Sequence, residues 1–107
     1  MKAELVEING VHKICINGEI YNPVSFRSFW PQPNTVNSFE KHGFRLMSIF
    51  PSGILCSLKV PYSQFGEVWE GEGKYNWENL RKQIDMFVEN APNAYFSLMV
   101  HLDTRDW

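Results

Sequence analysis

The sequence lacks the features that mark several classes of protein. It has no apolar run near the roughly 20 residues of a membrane helix, and its N-terminal "MKAELVEING" lacks the apolar centre of a signal peptide. A net charge of -2 and a pI near 5.9 give no basic surface for nucleic acid. These absences predict a cytoplasmic protein that binds neither membrane nor nucleic acid.

Metal ligands and activated nucleophiles are also sparse. Cys15 and Cys56 stand far apart without a CxxC motif, which predicts two reduced, buried thiols. The three histidines are scattered, and no serine lies in a nucleophile-elbow context. In "EVWEGEG" the carboxylates of Glu67, Glu70 and Glu72 are interrupted by apolar residues and glycine, unlike a calcium loop. We therefore predict no metal, no cofactor and no catalytic triad.

The sequence does contain the material of a single core. Of its 107 residues, 44% are hydrophobic, which suits one domain. Asn-Gly pairs at residues 9–10 and 17–18 separate short alternating runs. Both residues of such a pair accept the positive φ of a type I′ turn, so residues 3–21 predict an antiparallel meander.

Residues 22–107 predict strands that alternate with helices. "YNPVSFRSF" reads as a strand ending near Ser28, and a helix over Thr35 to His42 follows, with Asn34 as its N-cap and Gly43 as its stop. "FRLMSIF" then predicts a buried strand, and Asn76 caps the helix "WENLRKQIDMFVEN". "YFSLMVHL" is the last strand. This order is typical of an α/β parallel sheet.

Two further details complete this prediction. A segment of about two dozen residues, "PSGILCSLKVPYSQFGEVWEGEGKY", reads as a long loop whose aromatic residues indicate packing. The second helix is predicted to bury its apolar residues on one face: Trp77, Leu80, Ile84, Phe87 and Val88. A closed barrel of eight strand–helix units takes about 250 residues, so this chain has material for about three.

Several segments resemble the N-terminal part of β-galactosidase-like glycoside hydrolases, near glycoside hydrolase family 42. They are "INGEIYNPVSFRS", "FEKHGFRLMSIFPSG", the run from "VPYSQFGEVWEGEGKYNWENL" to "YFSLMV", and "HLDTRDW". The resemblance covers nearly the whole chain, and "FGEVWEGEGKYNWENL" and "LDTRDW" are its most distinctive parts. It implies one partial domain, residues 1–107, with a meander over 1–21 and the first three strands of a (β/α)8 TIM barrel over 22–107.

The resemblance also implies which catalytic groups are absent. The acid/base and nucleophile glutamates of these enzymes end the fourth and seventh strands, beyond residue 107. Retaining hydrolysis needs two carboxyl groups about 5 Å apart. We therefore assign no catalytic residue and expect this segment alone to be inactive.

Substrate-binding candidates lie at the tip of the third predicted strand. Ser97, Met99, His101 and Asp103 share one parity, and this more polar set is expected to face the barrel axis. Asp103 would accept hydrogen bonds from sugar hydroxyls at the active-site rim. Arg105 either binds a hydroxyl through its fork of donors or forms a structural pair with Asp103.

Two more residues complete the predicted sugar site. Trp107 either stacks on a pyranose ring or covers the loop. Arg27 stands in an otherwise uncharged run, so it is predicted to meet a carboxylate or to contact substrate. Asp103 is a candidate partner, although first and third barrel strands are not neighbours.

The residues leave a second hypothesis open. The chain is then a free-standing small α/β protein that acts by binding or by self-association. Three parallel strands expose unpaired edges, and a second copy would cover them. Under either hypothesis the 107-residue chain is expected to self-associate, and carbohydrate is the partner of the parent enzyme under the first.

Overall fold

The computed structural model describes residues 1–55 and 58–100 and shows a mixed α/β fold. The described part contains small sheets and two helices. In chain order its elements are β1 (Ala3–Ile8), β2 (Val11–Ile16), β3 (Glu19–Tyr21), β4 (Ser25–Arg27), α1 (Pro33–Lys41), β5 (Leu46–Ile49), β6 (Trp69–Gly71), β7 (Lys74–Tyr75), α2 (Trp77–Asn90) and β8 (Tyr95–Leu98).

The N-terminal meander forms as predicted. β1, β2 and β3 make one antiparallel sheet in that order. Asn9 and Gly10 have φ of 53° and 75°, and Asn17 and Gly18 have 52° and 90°. Positive φ at both central residues is the requirement of a type I′ turn, which is why the two Asn-Gly pairs fix these hairpins.

The second sheet is parallel, and its order follows the chain. β5 lies between β4 and β8, with Phe26 opposite Met47 and Met47 opposite Phe96. α1 connects β4 to β5, and α2 lies between β5 and β8 in the chain. The predicted alternation of parallel strands and crossover helices is confirmed.

One face of the parallel sheet packs against both helices and forms the core. The fully buried Phe87 of α2 meets Phe96 of β8 edge to face, with ring centroids 6.0 Å apart. Phe26 of β4 and Phe39 of α1 make a tilted contact, with ring centroids 4.5 Å apart. The buried residues of this core are Phe26, Val36, Met47, Ile49, Met86, Phe87 and Ala91.

The first helix begins earlier than its predicted N-cap. α1 starts at Pro33, and Gln32 rather than Asn34 occupies the cap position. Proline is favoured at the first helical position because its fixed φ suits the helix and its missing N–H has no intrahelical partner there. Gly43, with φ of 88°, ends the helix as predicted.

The second helix has the predicted cap but a different buried face. The Asn76 side chain accepts a hydrogen bond from the Asn79 N–H at 3.1 Å. Gln83, Met86 and Phe87 are the buried residues of α2. Trp77 is 62% exposed and Val88 is 44% exposed, so their predicted burial is wrong. Met86 and Phe87 belong to the buried core and Ile84 packs against it, which leaves Trp77 and Val88 outside the buried part of the helix.

The long segment before α2 contains a hairpin that the sequence did not predict. β6 pairs antiparallel with β7, and Gly73 between them has φ of 66°. The Asn76 N–H donates to the Val68 carbonyl at 2.7 Å, which ties the base of the hairpin to the start of α2. In residues 1–55 and 58–100, no helix has the length and apolarity needed to cross a membrane.

Candidate functional site

A row of hydroxyl groups crosses the sheet face that lies opposite the helices. Ser25, Ser48 and Ser97 come one from each parallel strand. Their Oγ atoms are 3.1 Å apart between Ser25 and Ser48, and 3.0 Å apart between Ser48 and Ser97. Strand parity explains the row, because these residues alternate with Phe26, Met47 and Phe96 of the core face. We call the row the serine face.

Arg27 ends β4 on the same side of the sheet, beside Ser48 in the register. Its guanidinium carbon lies 4.7 Å from the centre of the Phe50 ring, in a cation–π contact. Among the residues that the structure describes, no carboxylate lies within ion-pair distance of Arg27. A guanidinium held by its flat face keeps its in-plane N–H groups directed outward, where they can reach a ligand hydroxyl.

An aromatic cluster fixes the platform under Arg27. Phe50 is buried, and its ring stacks on Tyr62 with centroids 5.7 Å apart. Phe29, just after β4, meets Tyr62 at 5.1 Å and Phe50 at 6.1 Å. The segment between β5 and β6 therefore folds back over the carboxyl ends of β4 and β5 and supports Arg27 there.

The other predicted site residues lie outside the described part of the chain. These are Asp103, Arg105 and Trp107, together with His101. Their proposed roles stay predictions, as does the pairing of Arg27 with Asp103. The strand that leads to them has the predicted parity, since Ser97 lies on the serine face and Phe96 packs in the core.

A second concavity lies on the helix side of the sheet. It is a cleft of about 420 Å³ between the β6–β7 hairpin, the start of α2 and the end of β8. Leu98 lines it and shares strand parity with Phe96, so the cleft and the serine face lie on opposite sides of the sheet. Its lining includes Trp69, Tyr75, Trp77, Leu80, Leu98 and Val100.

Glu67 lies at the wall of this cleft and holds the surrounding loop together. One of its carboxylate oxygens accepts from the N–H groups of Val68 and Trp69, at 2.9 and 3.3 Å. The other accepts from the Ser52 hydroxyl at 3.2 Å, and the Glu67 carbonyl accepts from Asn79 at 3.0 Å. These hydrogen bonds give Glu67 a structural role, because they connect the start of this loop to Ser52 and to α2.

Among the described residues, two ionisable groups have shifted pKa values, and both lie away from Arg27. The hydrogen bond to the Glu19 carboxylate raises the pKa of the Tyr21 phenol well above its usual range. Tyr21 lies at the other end of the sheet, where its ring meets Tyr95 at 5.7 Å. On α2, the hydrogen bond and charge of Lys82 lower the pKa of Glu78.

No protein-family model, curated protein or solved structure matches this chain. Within residues 1–55 and 58–100, no cluster of three His, Cys, Asp or Glu side chains is arranged to hold a metal ion. The interpretation of the site therefore depends on its geometry and on the sequence pattern.

Sequence reasoning predicted the facing of Ser97 and missed the row that it forms with Ser25 and Ser48. Its signal was present, because each of the three parallel strands carries a serine next to an apolar residue of the core face. Only the strand register shows that Ser48 lies beside Arg27 on one side and opposite Ser97 on the other. The candidate site thus combines one predicted residue, Arg27, with three hydroxyls that register brings into line.

Proposed function

We propose that this chain is the N-terminal part of a β-galactosidase-like glycoside hydrolase, a (β/α)8 TIM-barrel enzyme that hydrolyses O-glycosidic bonds. In this proposal β4, β5 and β8 are the first three barrel strands, and the meander covers the opposite, N-terminal end. The observation that carries the proposal is the sheet itself. Three parallel strands follow in chain order, both helices lie on one face, and hydroxyls line the other.

The serine face supports a barrel interior better than a solvent-facing surface. Parallel sheets are normally covered on both faces. Inside a TIM barrel, side chains from alternate strands fill the axis in layers. Short side chains such as Ser25, Ser48 and Ser97 leave room for larger ones that reach across from other strands. Ser48 is already buried, although only three parallel strands are described.

Arg27 supports the proposed substrate class. Active sites of these barrels lie at the carboxyl ends of the strands, which is where Arg27 ends β4. Its guanidinium is positioned by Phe50 and offers several N–H donors to hydroxyl oxygens of a sugar. Asp103 and Arg105 complete this wall of the site in the proposal. The catalytic carboxylates belong to the fourth and seventh strands.

The proposed sugar contact is tested by NMR titration of the 107-residue chain with a methyl β-galactoside. We expect amide shifts near Arg27 and Ser48 with a dissociation constant on the order of 1 mM or weaker, since only one wall of the site is present. Arg27→Ala should abolish these shifts. Arg81→Ala, which removes an arginine on the distant helix α2, is the matched control. Shifts that survive Arg27→Ala would contradict the proposed role of this residue.

The catalytic part of the proposal is tested by assay and by sequence. The isolated chain should not hydrolyse aryl β-galactosides, because the carboxylate pair is not in it. A coding sequence that continues with further strand–helix units, and with glutamates at the fourth and seventh strand ends, would support the parent enzyme. Hydrolysis by this chain alone would show that the catalytic carboxylates have been assigned to the wrong part of the protein.

One observation favours the alternative, a free-standing α/β protein that binds or self-associates. Trp77 and Val88 stay 62% and 44% exposed on α2 and form an apolar surface, although the Tyr75 ring stacks on Trp77 at 5.1 Å. A coding sequence that terminates after Trp107 would support this alternative.

A further inference from the structure

One side of α2 carries an apolar stripe at helical spacing, which we call the α2 flank: Trp77, Leu80, Ile84 and Val88. Trp77 and Val88 are exposed, whereas Leu80 and Ile84 are half-buried and Ile84 also packs against the core. Trp77 and Leu80 line the same cleft as Leu98 and Val100, so this end of the flank faces the β8 side of the sheet. On α1 the exposed positions are proline, polar or charged, so the two helices are not equivalent.

The outer edge of β8 lies beside this flank. The N–H groups of Tyr95 and Met99 donate inward to β5 and its flanking residues, to the carbonyls of Arg45 and Ile49. Alternate residues of a strand direct their backbone groups to opposite sides, so Phe96 and Leu98 present theirs outward. In the part of the chain that the structure describes, β8 pairs with β5 alone. An open strand edge and an apolar helix stripe therefore occupy the same side of the molecule.

The charged residues that border the α2 flank would face residues of opposite charge on an antiparallel second copy of α2. Arg81 and Lys82 lie in the first half of α2, and Asp85 and Glu89 lie in the second half. Lys82 pairs with Glu78 at 2.8 Å. Arg81 and Asp85 border the same groove on the flank, and neither has an ion-pair partner within residues 1–55 and 58–100. An antiparallel copy sets Arg81 against Asp85 twice, whereas a parallel copy aligns like charges.

From these features we propose that two copies of the chain pair across a twofold axis, with the α2 flanks packed antiparallel and the β8 edges side by side. Twofold contacts use the same patch on both copies, which is what a self-complementary surface provides. This inference does not depend on the proposed glycosidase activity.

Strand and helix spacing agree with this arrangement. α2 packs on the sheet through Phe87, whose ring meets Phe96 of β8, and Ile49 of β5 belongs to the same buried core. Adjacent strands lie about 4.8 Å apart, so the axis of a helix midway above β5 and β8 is displaced from β8 towards β5 by about half of this distance. A twofold axis between two paired β8 edges is displaced from β8 by about the same amount in the opposite direction. The two α2 axes are then about 10 Å apart, which matches the roughly 8–10 Å of packed helices.

The proposal is tested by sedimentation equilibrium of the 107-residue chain over roughly 1 µM to 1 mM. We expect a monomer–dimer equilibrium in this range. Val88→Glu should raise the dissociation constant on the order of 30-fold, because it buries a carboxylate in the contact. Leu5→Glu replaces an exposed apolar residue on β1, away from the proposed contact, and is the control, with no expected change.

Charge reversal identifies the antiparallel contact specifically. Arg81→Glu should weaken dimerisation about tenfold, since it replaces two attractive pairs by two repulsive ones. The double variant Arg81→Glu/Asp85→Arg should restore the affinity of the original chain. Circular dichroism of each variant checks that the helices are retained.

Three outcomes would overturn the inference. The first is a chain that stays monomeric up to the highest concentration. The second is a dimer that Leu5→Glu disrupts and Val88→Glu does not. The third is a folded double variant that fails to regain affinity. None of these outcomes bears on galactoside binding at Arg27, so the inference and the proposed function fail separately.

Discussion

Replacing Ser63 by alanine tests whether one buried hydrogen bond holds the long segment before α2 in place. Ser63 and Gln83 are 2% and 1% exposed. The Ser63 hydroxyl donates to Gln83 Oε1 at 2.7 Å and accepts from the Phe65 N–H at 3.1 Å. Ser63→Ala therefore removes the partner of a buried carbonyl and of a half-buried N–H. A fully buried group without a partner costs about 1–3 kcal/mol and a half-buried one less, so we expect a loss of about 2–4 kcal/mol.

A loss of this size is large for one domain, whose free energy of unfolding is typically about 5–15 kcal/mol. Gln83→Met should cost less, about 1 kcal/mol, because the Ser63 hydroxyl keeps its bond from Phe65. In the double variant the Gln83 carbonyl is absent and only the Phe65 N–H is unpaired. The double variant should therefore lose about 1–2 kcal/mol less free energy of unfolding than the sum of the losses in the two single variants.

The assay is urea unfolding followed by tryptophan fluorescence, with all variants at one low protein concentration so that self-association does not contribute. The difference in midpoint at constant slope gives each change in free energy. A Ser63→Ala loss below about 0.5 kcal/mol would refute the reasoning, because surface substitutions have effects of that size. Strictly additive losses would show that Ser63 and Gln83 do not interact.

Three further predictions follow from local contacts. Asn76→Ala should destabilise the protein by about 1 kcal/mol in thermal unfolding, because it removes the α2 cap, and Asn76→Asp should keep most of that stability. Gly53→Ala should cost about 1–3 kcal/mol in the same measurement, because its Cβ would lie 2.6 Å from the backbone nitrogen of Glu67. Glu19→Gln should lower the pKa of Tyr21 towards the usual value of about 10 in an ultraviolet titration of phenolate absorbance. Since the folded pKa of Tyr21 lies above its unfolded value, the stability from this bond is present below about pH 10 and is lost as the pH rises further.

Controls separate these effects from general damage. Gly71→Ala should be almost neutral, because its Cβ would meet only the flexible Lys74 side chain at 3.4 Å. Equal losses for Gly53→Ala and Gly71→Ala would contradict the backbone clash. An unchanged Tyr21 titration in Glu19→Gln would show that the carboxylate does not set this pKa.

The parts of the fold that the sequence predicted well are those with local causes. Two Asn-Gly pairs determine the meander because both of their residues adopt positive φ. Asn76 determines the start of α2 through a contact three residues away. The predicted start of α1 was wrong by two residues, because Pro33 and Asn34 are both acceptable near a helix start and Pro33 takes the first helical position.

The errors come from contacts between residues that are distant in the sequence. Gln83 is a polar residue in an amphipathic helix, and the sequence pattern did not identify it as part of the core. It is buried because Ser63, 20 residues away, supplies a donor. Trp77 carries the opposite error, since an apolar residue was predicted to face the sheet and instead borders an open flank. The pattern of apolar and polar residues along a helix identifies an apolar stripe, but it does not show which part of the protein covers that stripe.

The candidate site was predicted only in part, for the same reason. Arg27 was expected to meet a carboxylate or to contact substrate, because it stands in an otherwise uncharged run, and its pairing with Asp103 stays a prediction. It is exposed, and Phe50 provides a cation–π contact that the sequence spacing of 23 residues does not suggest. The serine face depends on strand register, which is a property of paired strands and is set by long-range packing.

The barrel proposal and the dimer inference use the same surface because strand spacing fixes where the next helix lies. A strand added beside β8 brings its helix to about 10 Å from α2 whether it belongs to a following barrel unit or to a second copy. Direction distinguishes the two cases. The helix of a following unit runs parallel to α2, whereas that of a second copy runs antiparallel and sets Arg81 against Asp85. In a twofold dimer, the double charge reversal is present in both copies, so both sides of the contact change together. In a longer chain, the helix that packs on α2 has a different sequence, so only the α2 side of the contact changes. Recovery of affinity in Arg81→Glu/Asp85→Arg is therefore specific to the second copy, and the same substitutions in a longer barrel protein should weaken the α2 contact without recovery.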